Sequence, residues 1–305
     1  MDSVVLLSIV SFFLELTVKK RIKLFHFLRN LILNPMILAI LIGLIIRISK
    51  INIDETPFEY ILQRLAACVM PVGIFAFLLT KNTFKRSIQE SIIWALTVAL
   101  SNHVILVLPI AEIFFAGSKI TLISGIILMD SVVLLSIVSF FLELTVKKRI
   151  KLFQFLRNLI LNPMILAILI GLIIRISKIN IDDTPFEYIL QRLAACVMPV
   201  GLFAIGIILS FYSKKVFNKL TITISLLKLI ISPLILLILG YTFFSLSNPI
   251  NFAGALMVSV GPCGATSIVM CPAYNVSPEN IIKAIFISTF ASIFTFLFTI
   301  NLLNY

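Results

Sequence analysis

The sequence predicts an all-α polytopic membrane protein of about ten transmembrane helices, and three observations carry that expectation. Hydrophobic residues fill 60% of the 305 positions, charged residues 12%, and the mean hydropathy is +1.15; a water-soluble domain sits nearer half apolar and a quarter charged. The apolar residues gather into runs of about 20, the length that crosses a ~30 Å hydrocarbon core as a helix. Lys and Arg collect in every second loop, as the positive-inside rule expects of short cytoplasmic connections. Closed helices satisfy their own backbone in lipid and open sheets do not. No alternating apolar pattern suggests a barrel.

Taken in order, the first segment, 2–17, is short: its 16 residues reach only about 24 Å, so it needs local thinning or snorkelling. The others are 30–49, 59–80, 90–116, 120–146, 158–177, 187–211, 219–246, 251–273 and 281–303. Lys19, Lys20, Arg21, Lys23 and Arg29 follow the first, and Lys81, Lys85 and Arg86 the third. Lys147, Lys148, Arg149, Lys151 and Arg157 follow the fifth, and Lys214, Lys215 and Lys219 the seventh. Both termini are therefore expected outside the cytoplasm, in a multi-pass cell-membrane protein of the bacterial inner-membrane kind. Loops facing anionic lipid account for the +12 charge, and no nucleic acid is implied. Residues 1–17 lack the basic start and cleavage site of a signal peptide. The four cysteines all lie in apolar runs and suggest no disulfide framework. His26 and His103 make no recognised metal spacing with them. No cofactor is expected, and no nucleophile–base pair points to an enzyme.

Residues 1–76 recur as 129–204, with three differences: His26 against Gln154, Glu55 against Asp183 and Ile74 against Leu202. Repeats inside transporters are usually barely detectable in sequence, so near-identity reads as a recent duplication or recombination. The copy keeps topology by parity, because its three segments fill slots one to three and the originals fill five to seven.

Inside the apolar run VSVGPCGATSIVMCPAYN stand Gly261, Pro262 and Gly264. Proline removes a helix hydrogen bond and clashes with the preceding turn, tolerable in a bilayer where the freed groups face protein or water. This marks one broken helix, with the glycines letting another element approach and Thr266 and Ser267 as nearby polar groups. A second break is expected around Pro109 in SNHVILVLPIAEIFF, with Asn102 and His103 one or two turns earlier. Interrupted helices near the midplane hold ions or carboxylates in transporters.

These stretches resemble the auxin efflux carrier family of permeases over residues 88–305. The matching pieces are Asn102 and Pro109, Asn162 and Pro163 in NPMILAILIGLIIR, Pro199, Gly201 and Phe203 in MPVGLFAIGIILS, and Pro262, Tyr274, Ser288 and Thr289 toward the end. The resemblance implies one transporter domain over 1–305, built as two five-helix inverted repeats with helices four and nine broken and crossing. It implies an organic anion as substrate, malate-like or auxin-like. It also implies Asn102, Pro109 and Pro262 beside the substrate. The duplicate stands where the family has its own first segments, and the second crossover reads PCGAT where relatives often carry an asparagine.

Ionisable groups at membrane depth are functional by default. Lys228 is nine residues beyond Lys219, about 13 Å deep, and its ammonium would attract a carboxylate. Asp130 is a candidate for binding a proton or sodium ion or for neutralising Lys228, and His103 is a candidate proton relay. Glu112 reads as interfacial. The expected function is thus a secondary transporter for a small organic anion working by alternating access, coupled to protons or sodium, as a monomer or homodimer in lipid. The competing expectation is a recombined protein that inserts without transporting.

Overall fold

The computed structural model describes residues 69–115, 118–146, 184–211, 216–243 and 249–303, with isolated positions between 166 and 181. The segments read at 2–17 and 30–49, most of 158–177, and the first copy up to residue 68 lie outside the described residues.

Among the described residues every regular element is helical. In chain order these are α1 (Met70–Leu78), α2 (Ile88–Ala99), α3 (Leu108–Phe114), α4 (Ser118–Val146), α5 (Pro185–Ser210), α6 (Lys219–Leu226), α7 (Ser232–Phe243), α8 (Pro249–Ser259), α9 (Thr266–Met270) and α10 (Glu279–Leu302). Wider π turns occupy Leu79–Thr83, His103–Val107 and Leu227–Ile231. Among the described residues four stretches are long and apolar enough to cross a membrane: Ile123–Val146, Pro185–Ile208, Lys219–Leu239 and Glu279–Leu302. They coincide with four of the apolar runs. Two other runs, 90–116 and 251–273, each appear as two shorter helices, as expected of broken ones.

Local chemistry sets the starts. Ser87 accepts from the Glu90 backbone N–H at the head of α2, and Asn218 and Thr221 form a reciprocal capping box at the head of α6. Asn218 Nδ2 also donates to Asn280 Oδ1 at 2.9 Å. The connections that precede α6 and α10 therefore share one end of the molecule, as the alternation of basic loops requires.

The core lies around α2, α4, α8 and α10, where Trp94, Leu96, Ile126, Leu142, Met257 and Ile285 are buried. In lipid such packing acts through close van der Waals fit and interhelical hydrogen bonds, because tails are as apolar as the side chains. Buried hydroxyls mostly bond back within their own helices, for example Thr97 to the Ile93 carbonyl at 2.8 Å and Ser131 to that of Ile127 at 2.7 Å.

Candidate functional site at the crossing of two broken helices

α2 stops at Ala99, and Leu100 turns extended (φ −85°, ψ 131°). After Asn102 (φ −75°, ψ 72°) the chain winds up again as the His103–Val107 π turn and α3. The sequence places this break around Pro109, whereas the structure places it at Leu100–Asn102. Pro109 follows just after the His103–Val107 π turn, and the run from His103 to Phe114 stays helical through it. The residues at 100–102 can leave the helix because a second chain segment satisfies them. Ser101 pairs with Cys263 in an antiparallel bridge. The Asn102 N–H donates to the Pro262 carbonyl at 2.9 Å, and the Gly264 N–H donates to the Thr97 carbonyl at 2.9 Å.

That second segment is the break between α8 and α9. Its own groups are taken up by α10: Ser288 Oγ accepts from the Cys263 N–H at 3.1 Å, and Thr295 Oγ1 donates to the Val260 carbonyl at 3.0 Å. The glycines are needed for closeness. A Cβ on Gly264 would lie 2.7 Å from the Leu100 carbonyl oxygen, and one on Gly261 would lie 2.5 Å from Val107 Cγ2.

Lys228, on the Leu227–Ile231 π turn, is 1% exposed. Its Nζ donates to Ser101 Oγ at 2.7 Å, and Ser101 Oγ donates to the Val258 carbonyl, in the last turn of α8, at 2.5 Å. The ammonium is thus tied directly to the first break and through one hydroxyl to the second. Next to Asn102, which is buried, His103 Nε2 lies 3.4 Å from Asp130 Oδ2, with both side chains buried.

The structure therefore gathers Asn102, Lys228, Gly261, Pro262 and Gly264 at one point, with His103 and Asp130 adjoining. Pro109 lies beyond that point on α3, half-buried, and Thr266 is half-buried at the first position of α9. Glu112 is exposed. Ser101 and Thr295 were not singled out from the sequence. The signal for Ser101 was a serine just ahead of Asn102 in an apolar run, which weighs little without the partner helix. Among the described residues no group of three His, Cys, Asp or Glu could hold a metal.

Beside the crossing lies a half-open apolar cavity. α1, α2 and α4 line it with Gly73, Ile74, Leu96, Ala99, Leu134 and Phe141. Ala99 is the last residue of α2 before the break.

A lipid-compatible chain, helical throughout its described elements, whose interrupted helices pair in the interior has the build of a multi-pass membrane transporter. The family model described as membrane transport protein matches residues 146–300, and the chain belongs to that family, the auxin efflux carrier family. Its members are transporters, and the matched region carries Lys228 and the whole second break. No curated protein matches the chain.

Proposed function

We propose that the chain is a secondary transporter that moves a small organic anion by alternating access about the crossing, in a ten-helix fold of two five-helix inverted repeats. The observation that carries this reading is the pairing of Ser101 with Cys263 at the point where Lys228 is bonded. Interrupted helices leave main-chain groups at membrane depth that only protein, water or ligand can satisfy. A positive charge held in a medium of low dielectric attracts a carboxylate far more strongly than it does in water. Asn102 offers a side-chain amide at the break, and the helical segment that follows it directs the positive end of its dipole there. In this reading Gly261, Pro262 and Gly264 shape the break, while Pro109 and Thr266 line its approaches.

The apolar cavity favours an auxin-like acid over a malate-like one, because a second carboxylate against Leu96 and Leu134 would be desolvated without a partner. The buried His103–Asp130 pair supports proton coupling, since such a pair can take up and release a proton inside the membrane. The setting is a bacterial inner membrane, with both termini outside the cytoplasm and a homodimer as the assembly.

The test is uptake of labelled indole acids and dicarboxylates into proteoliposomes of the full chain under an imposed proton or sodium gradient. Proton-driven accumulation of the indole acid is expected. Asn102→Ala should lower it about tenfold or more, the size of one lost charge-assisted hydrogen bond. Absence of flux for every acid would favour the recombined protein that inserts without transporting.

A further inference from the structure

We propose that the Lys228 ammonium is a tethered cation that permanently fills a monovalent-cation position at the crossing, so that the protein has no use for sodium there. The inference rests on the transporter reading for its meaning, and on geometry alone for its evidence. Helix C-termini carry partial negative charge on carbonyls that have no partner within the helix. Two such ends meet here: α2 finishes just before Ser101, and α8 finishes at Ser259, one residue after the Val258 carbonyl. Main-chain carbonyls and a serine hydroxyl at such ends are the hard oxygen donors with which broken helices coordinate sodium. In this chain an ammonium stands in that place. Lys228 Nζ donates to Ser101 Oγ at 2.7 Å, which in turn donates to the Val258 carbonyl at 2.5 Å.

The lysine is also built in rather than reaching in. It is 1% exposed and sits on a π turn, a local widening that re-aims a side chain and often marks functional sites. α1, α2 and α10 all pack against that turn. The titratable groups around the crossing are His103 on the π turn after Asn102, Asp130 on α4 and Cys263 in the second break, while the buried Lys283 of α10 is taken up by Glu279 on its own helix. A fixed positive charge and a mobile one cannot share the position, so the lysine excludes an inorganic cation and leaves coupling to the proton.

Thermal unfolding of the purified full chain tests this without any flux. Wild type should unfold at the same temperature in sodium, potassium or N-methylglucamine salts. Lys228→Ala should unfold lower, and propylammonium, which restores the atoms removed beyond Cβ, should raise it by about 3 °C or more at saturating concentration. Sodium should raise the variant as well. A variant that propylammonium and sodium both leave unchanged would overturn the proposal, as would a wild type stabilised by sodium. Should Lys228→Ala not fold, wild type decides through that salt series, and Lys228→Arg, which keeps the charge, should stay insensitive to sodium. These readouts can succeed while every transport assay fails, so the two readings fall separately.

Discussion

The stretch from Val69 to Gly73 and the stretch from Val197 to Gly201 have the same five residues, VMPVG, yet they occupy opposite environments. Val72 is wholly buried, whereas Val200 is 62% exposed. Ala76 is wholly buried and its twin Ala204 is exposed. The two glycines show why. A Cβ on Gly73 would meet Ala99 Cβ at 3.3 Å, before the break, and one on Gly201 would meet Ile105 Cδ1 at 2.7 Å, after it. One sequence therefore serves two sides of the same interrupted helix. α1 is enclosed by α2 and the cavity wall of α4, while α5 meets the π turn and α10 and shows its remaining surface outward. An apolar helix in lipid carries no label for which face is packed, because tails and side chains are equally apolar.

Paired substitutions break or sharpen this contrast. The largest difference is expected for added volume. Ala76→Leu should cost about 3 kcal/mol of stability through overpacking, while Ala204→Leu should fall within about 0.5 kcal/mol, both read by denaturation in detergent. Equal losses at the two sites would mean that the outward face of α5 is covered in the assembly. Removed volume comes next: Val72→Ala should cost about 2 kcal/mol from lost packing, and Val200→Ala should be close to neutral. The glycine pair divides more finely. Gly201→Ala should be neutral or stabilising by up to about 1 kcal/mol, since helix propensity improves and the Ile105 tip can turn aside. Gly73→Ala should be the less favourable of the two, because Ala99 Cβ is fixed to its backbone. Ile74→Leu, which makes the first copy match the second where it lines the cavity, should cost well under 1.5 kcal/mol, and a larger loss would show that the copies have already adapted to their slots.

Much of the site was legible beforehand. Pro262 with Gly261 and Gly264 announced one break, because proline cannot complete a helix and glycine permits close contact, and the structure has the chain leave α8 there. The first break was located too late, since Pro109 draws attention, but the run from His103 to Phe114 stays helical through it, widened into a π turn just before. Leu100–Asn102 lacks any strong breaker of its own and leaves the helix because Pro262, Cys263 and Gly264 supply partners. Lys228 was conspicuous as a charge at depth, while its attachment to Ser101 was not. His103 and Asp130 lie on different helices, and no spacing rule joins them.

By itself, the sequence determined that the chain lives in lipid, where the helices of the described residues run, and that at least one of them is interrupted. Length, hydropathy and proline chemistry act locally, so each can be read along the chain. Tertiary structure decided where the other helix opens, which serine the buried ammonium finds, and which of two identical segments is enclosed. Each of those depends on groups distant in sequence that meet only after packing.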